Sequence, residues 1–171
     1  MRFFTTILFC FCSFNAFTTQ LDNPYFLKKG RNWKSRGADF LLDMPKRISQ
    51  ARLTSKYNIN YIAQKMKLKK GNYKVVISAK GNNSTRLRIA VTKSLKRLKM
   101  LSERNGNSGR KEDPTWSCED LTSSKKKLTY EFRSDNHINH YLVLWLEAES
   151  SDRKNKDYFI DIPSVQVVRI N

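Results

Sequence analysis

The chain has 171 residues, of which 39% are hydrophobic and 12% aromatic, and this composition excludes intrinsic disorder. Its 33 basic and 15 acidic residues give a formal net charge of +18, which predicts association with polyanions such as acidic polysaccharides, anionic membranes or nucleic acids. The alternative is a basic protein without such a partner, because net charge informs association and solubility rather than fold.

The N-terminal residues predict a secretory signal. Arg2 is followed by an apolar run over residues 3–14, which is too short to form a stable membrane anchor. We assign residues 1–18 to this signal and residues 19–171 to a single mature domain, in which no segment is apolar enough to span a membrane. The mature protein is therefore expected to be secreted, periplasmic or at the cell surface.

Cysteine content limits what can stabilise this domain. Removal of the signal leaves Cys118 as the single cysteine, so no internal disulfide can form and stability must come from the core. The thiol could pair between two chains, but a small buried or idle thiol is the simpler interpretation. We expect a monomer.

Alternation of apolar and polar residues recurs along the mature chain and predicts strands. The segments lie, in chain order, at residues 38–44, 48–54, 58–68, 73–80, 85–92, 128–133, 141–148 and 157–170. Short extended pieces before Trp33 and from Trp116 bring the total to about ten. Pro163 interrupts the last strand and predicts a bulge there. This many short strands without a clear long helix indicate an all-β sandwich or barrel.

Two pairs of neighbouring segments predict hairpins. Gly71 can adopt a positive φ in a turn at residues 69–72, which would join segment 58–68 to segment 73–80. A second turn at residues 81–84 would pair segment 73–80 with segment 85–92. This turn carries overlapping glycosylation sequons at Asn82 and Asn83, which matter only in a eukaryotic source. Residues 93–111 fit either a short basic helix or another strand.

Four stretches form a motif series. They are Asn23-Pro-Tyr-Phe26 with Gly30 and Trp33, then Gln64-Lys-Met-Lys-Leu68 with Lys70-Gly-Asn-Tyr73 and Ser78-Ala-Lys80, then Trp116 with Leu128-Thr-Tyr-Glu-Phe132, and finally Asp157-Tyr-Phe-Ile-Asp-Ile-Pro-Ser-Val165. The series resembles the carbohydrate-binding modules of the galactose-binding-like jelly-roll class and spans nearly the whole mature chain. The resemblance implies a two-sheet β-sandwich (jelly roll) of about ten strands that binds carbohydrate without catalysis.

The same resemblance raises the question of a structural calcium ion. In this class the closing aspartate often helps to hold calcium, together with an acidic residue near the opening phenylalanine. Asp161 matches the first position, whereas Leu27 stands at the second, where the class commonly has glutamate. Calcium takes about six to eight oxygen ligands, so the missing carboxylate weakens such a site. The alternative role for Asp161 is hydrogen bonding to backbone amides at a turn or bulge.

Residues opposite the predicted core are the candidates for ligand binding. Sugar rings stack their C–H faces on aromatic side chains, and arginine pairs with carboxylate or sulfate groups. The candidates are Trp145, Tyr141, Arg86, Arg88 and Lys74. If their strands are neighbours, two aromatic rings lie beside two arginines, which suits an acidic glycan. The alternative places Tyr141 and Trp145 in the core and lets the leucines at 142, 144 and 146 line the other layer.

Three functions compete at this point. The first is a secreted, non-catalytic protein that binds an acidic or cell-surface polysaccharide. The second is a basic protein that binds polyanions or anionic surfaces without sugar specificity, through lysine-rich runs at residues 28–29, 65–70, 93–99 and 125–127. The third is a polysaccharide lyase that uses Tyr141, His140, His137 and Arg88, although no local lyase motif accompanies these residues.

Overall fold

The computed structural model describes residues 20–43, 48–55, 60–82, 85–95, 116–121, 124, 126–135, 139–147 and 158–170. These residues form ten strands and one four-residue helical turn. The bounds are α1 Leu27–Gly30, β1 Trp33–Arg36, β2 Ala38–Asp43, β3 Ile48–Thr54, β4 Asn60–Lys67, β5 Gly71–Gly81, β6 Thr85–Thr92, β7 Trp116–Leu121, β8 Lys126–Ser134, β9 Asn139–Glu147 and β10 Phe159–Ile170. In this part of the chain, no helix is long and apolar enough to cross a bilayer.

The strands form two five-stranded sheets. Sheet I has the order β1-β4-β9-β6-β7, and sheet II has the order β2-β3-β10-β5-β8. Neighbouring strands in both sheets are antiparallel. The all-β, two-sheet sandwich of about ten strands that the sequence predicts is therefore confirmed.

The main core fills the space between the two sheets. Sheet I contributes the fully buried side chains of Ile62, Leu87, Ile89, Leu142 and Leu144, and sheet II contributes those of Leu53, Val75, Ile77, Ile160 and Val165. Along each strand these residues alternate with side chains that point away from the core, as expected where one face of a sheet is covered. The alternate residues consequently form the two outer faces of the sandwich.

Both predicted hairpins are wrong, because the strands concerned lie in different sheets. β4 pairs with β1 and β9 in sheet I, whereas β5 pairs with β10 and β8 in sheet II. β6 then returns to sheet I beside β9 and β7. The alternating pattern identifies the buried face of a strand but not its partner, since both sheets bury a face on the same core.

Pro163 disturbs the last strand as the sequence predicts. The register of β10 against β5 shifts between Asp161 and Ser164. Proline has no N–H to donate to a neighbouring strand, so a bulge absorbs the missing hydrogen bond. The signal predicted at residues 1–18 lies outside the described residues, as does all but residues 93–95 of the helix or strand predicted at residues 93–111.

The opening motif forms a loop against one edge of the core. Trp33 is buried, its indole Nε1 donates a hydrogen bond to the Asn23 carbonyl oxygen at 2.8 Å, and its ring packs on Phe26 with centroids 5.0 Å apart. Gly30 has a φ of +69°, and a Cβ at this position would overlap the Phe40 ring. The Phe40 ring leaves no room for a side chain at this position, and the positive φ also favours glycine.

Candidate functional site

The outward side chains of sheet I form a face that is separate from the main core. Backbone register aligns them in rows that run from β4 through β9 to β6. The rows are Tyr61–Trp145–Arg88, Ala63–Val143–Ala90 and Lys65–Tyr141–Thr92. Lys34 and Arg36 lie on the adjacent β1. We call this surface the aromatic face.

A second hydrophobic cluster forms the floor of the aromatic face. Ala63, Ala90, Val143 and Trp145 are buried in it, and Tyr61, Tyr141 and Leu95 pack against it while keeping part of their surface exposed. Trp145 is only 8% exposed, although it lies on the outer side of the sheet. Among the aromatic residues of this face whose burial the structure describes, the tyrosines are therefore the most accessible.

The alternation along β9 agrees with the binding-site hypothesis in one respect. Leu142, Leu144 and Leu146 belong to the main core, while Tyr141 and Trp145 lie on the opposite face of the strand. Trp145 is nevertheless buried there, so it stabilises the face from below and exposes little ring surface for stacking.

Two basic side chains lie over aromatic rings of this face. The guanidinium carbon of Arg88 is 5.9 Å from the Trp145 ring centroid, and Nζ of Lys34 is 5.8 Å from the Tyr141 ring centroid. Both distances are within the usual reach of a cation–π interaction, which is about 6 Å. Lys65 is exposed and is the backbone partner of Tyr141 on β4.

The structure brings together four of the five predicted site residues. Arg86 and Arg88 on β6 lie next to the strand that carries Tyr141 and Trp145. Lys74 is the exception, because it lies on β5 of sheet II. Its Nζ is 3.2 Å from Oε1 of Glu131 in that sheet, and the core separates it from the aromatic face. Lys74 therefore does not share a site with the other four.

Three residues of the aromatic face were not among the five predicted ligand-binding residues. Tyr61 and Lys65 alternate along β4 with the buried Ile62, and Lys34 follows the buried Trp33 on β1. The alternating pattern was a sufficient signal that these side chains point outward. What the sequence does not indicate is that β1 and β4 lie beside β9.

The residues considered for a lyase are not arranged as one site. His140 is buried and is adjacent to Tyr141 in β9, so the two side chains lie on opposite faces of the sheet. His137 lies outside the described residues. Arg88 shares a face with Tyr141 but not with His140.

Asp161 does not fit a calcium site in this protein. Its side chain is fully buried, Oδ1 accepts a hydrogen bond from Nε of Arg52 at 2.6 Å, and Oδ2 accepts one from Nη2 of Arg52 at 2.9 Å. Nζ of Lys80 lies 3.6 Å from Oδ2. Two basic side chains thus contact the carboxylate that would have to bind calcium. The described residues also contain no group of three metal-binding side chains.

Hydrogen bonds also hold the loop around Leu27, the position at which galactose-binding-like carbohydrate-binding modules commonly have the second calcium-binding carboxylate. Nδ2 of Asn23 donates to the carbonyl oxygens of Leu27 and Arg31 at 2.8 and 3.0 Å. On the closing strand, the carboxylate of Asp161 accepts hydrogen bonds from Arg52. This contact raises the pKa of the Arg52 guanidinium, an effect that burial partly opposes. The loop and the closing strand are therefore held by side chains of the protein itself.

No protein-family model and no curated protein sequence matches the chain. Solved structures do resemble it. TmCBM61, determined in complex with β-1,4-galactotriose, is 12% identical with a TM-score of 0.61 and covers 90% of this chain and 99% of its own. A CBM4 structure is 13% identical with a TM-score of 0.54 and covers 81% of this chain and 95% of its own.

A third similar structure is the CBM22-1 xylan-binding domain from Paenibacillus barcinonensis Xyn10C. It is 16% identical with a TM-score of 0.52 and covers 86% of this chain and 92% of its own. The enzymatically active domain of a bacteriophage CBA120 tailspike protein has a TM-score of 0.60, but the match covers only 21% of that chain. The chain therefore has the jelly-roll β-sandwich fold of carbohydrate-binding modules.

Proposed function

We propose that this protein is exported and binds an acidic polysaccharide, without catalysis, on the aromatic face of sheet I. The observation that carries the proposal is the register between β6 and β9, which aligns Arg88 with Trp145 and Thr92 with Tyr141. Aromatic rings and cations thereby share one surface on a fold that carbohydrate-binding modules also use.

The chemistry of the face suits a charged sugar polymer. Tyrosine rings offer apolar surface to the C–H groups of a sugar, and their hydroxyls remain able to hydrogen-bond. Arginine and lysine add attraction for carboxylate or sulfate groups. The net charge of +18 attracts such a polymer over a longer range, and salt weakens this attraction.

The proposal is tested by measuring binding to a glycan array at low and high ionic strength. Acidic glycans such as pectin, alginate and glycosaminoglycans are compared with neutral galactan and xylan. The variants Tyr141→Ala and Arg88→Ala should lose binding, whereas Lys74→Ala on sheet II should retain it. Full binding by both sheet I variants would show that the ligand does not use the aromatic face.

A second function, polyanion binding without sugar specificity, is favoured by the exposed lysines at the end of β4. Lys67, Lys69 and Lys70 are all exposed and lie in one short segment. Binding of this kind would fall steeply with salt and would not distinguish acidic glycans from other polyanions such as DNA. Equal binding to DNA and to an acidic glycan, with no loss in Tyr141→Ala, would favour this function.

A further inference from the structure

Tyr141 is one of two partly exposed tyrosines on the aromatic face, and Tyr61 lies at the other end of that face. Trp145 is 8% exposed and forms the floor with Ala63, Ala90 and Val143, whereas Tyr141 packs against that floor and keeps part of its surface open. A ligand that stacks on this end of the face would therefore contact Tyr141 rather than Trp145.

Two lysines from two other strands border Tyr141. Lys65 is its direct partner on β4, and Lys34 on β1 is the partner of Ala63, which is two residues from Lys65 on the same face. Diagonal neighbours of this kind lie about 7–8 Å apart, and their Cβ atoms are somewhat closer. Nζ of Lys34 reaches to 5.8 Å from the centre of the Tyr141 ring. Both lysines belong to strands on the same side of β9, so two positively charged residues border one side of Tyr141.

These lysines have no acidic partner among the residues that the structure describes. Both are exposed, and neither makes an ion pair with a described carboxylate. Basic side chains of sheet II differ in this respect, since Lys74 lies 3.2 Å from Glu131 and Lys80 lies 3.6 Å from Asp161. Like charges at diagonal positions of neighbouring strands repel each other, and an anion bound between them would offset this repulsion.

We infer that Lys34, Lys65 and Tyr141 form a subsite for a negatively charged sugar unit, with the tyrosine ring against the sugar and both ammonium groups on its anionic group. This inference rests on the proposed function and specifies its ligand. Lysine acts as a compact point charge with three rotatable donors, so it accepts a carboxylate or a sulfate without the planar geometry that arginine favours. Uronic acids and sulfated sugars are both ligands of this class.

The test uses the charge-removing double variant Lys34→Gln/Lys65→Gln of the full mature chain. Binding to oligogalacturonate, to a sulfated galactan oligosaccharide and to neutral β-1,4-galactotriose is measured by calorimetry. The control is Lys74→Gln/Lys127→Gln, which removes the same charge from sheet II, where both side chains lie away from the aromatic face. A second variant, Lys34→Arg/Lys65→Arg, restores the charge, and thermal melting confirms that each variant folds.

We expect the glutamine variant to bind the anionic probes about tenfold more weakly for each lysine removed, while the control and the arginine variant bind as the wild type does. The difference between the carboxylate and sulfate probes identifies which anion the subsite prefers. Unchanged anionic binding in the glutamine variant would overturn the inference and leave the proposed function standing, whereas binding of the neutral probe alone by the wild type would overturn both. If the wild type binds none of the three probes, both fail.

Discussion

The two outer faces of the sandwich handle positive charge differently. On sheet II, Arg52 and Lys80 converge on the buried Asp161, and Lys74 pairs with Glu131. On sheet I, Lys34 lies over Tyr141 and Arg88 lies over Trp145. Lys74 and Lys80, which lie beside carboxylates, have less to offer a ligand than Lys34, which lies over an aromatic ring and makes no ion pair with a described carboxylate.

Asp161 on sheet II and Tyr141 on sheet I illustrate this difference. Asp161 is buried and links β10 to β3 through Arg52, its backbone partner across the sheet. Tyr141 is only partly buried and projects from sheet I. The following experiments test whether the first face is structural and the second functional.

Removal of the floor of the aromatic face should have the largest effect. We expect Trp145→Ala to lower the free energy of unfolding by about 3–5 kcal/mol, because a large buried ring is lost and a cavity remains. Urea unfolding measures the change. A loss below about 1 kcal/mol would show that Trp145 does not support the face.

Disruption of the buried ion pair on sheet II should come next. Arg52→Met leaves Asp161 with only Lys80 nearby, and we expect a loss of about 2–3 kcal/mol in the free energy of unfolding, with ligand binding unchanged. The matched control is Lys74→Met, which breaks an exposed pair and should change stability by less than about 1 kcal/mol. Equal effects of the two variants would contradict the structural role of Asp161.

The replacement of the accessible ring on sheet I should change binding more than stability. Tyr141→Ala is expected to weaken glycan binding by about tenfold or more, since a central aromatic contact is removed. Tyr25→Ala is the control, because Tyr25 is 49% exposed and contacts Gln166 of sheet II. If the two variants bind alike, the ligand does not stack on Tyr141.

Calcium should have the smallest effect of all. Because Arg52 and Lys80 already hold Asp161, and Asn23 closes the opening loop, we expect the unfolding midpoint to be the same with calcium, with magnesium and with a chelator. Differential scanning calorimetry provides the measurement. A midpoint that rises with calcium alone, and returns to its original value on chelation, would restore the calcium site.

Much of the candidate site could be predicted from the sequence, but its boundary could not. The alternation in β9 correctly separates Tyr141 and Trp145 from Leu142 and Leu144, because side chains on a strand alternate between its two faces. The same rule cannot reveal that Lys74 lies in the other sheet or that Lys34 reaches Tyr141. Those relations depend on which strands are neighbours.

The sequence by itself determined the all-β class and the interruption at Pro163, since these follow from local alternation and from the missing N–H of proline. Tertiary structure alone decided the partners. Asp161 meets Arg52 across 109 residues of chain, and β4 and β5 join opposite sheets although they are consecutive. Strand pairing is a non-local choice, because many pairings would bury the same apolar faces and only the complete packing of both sheets selects one.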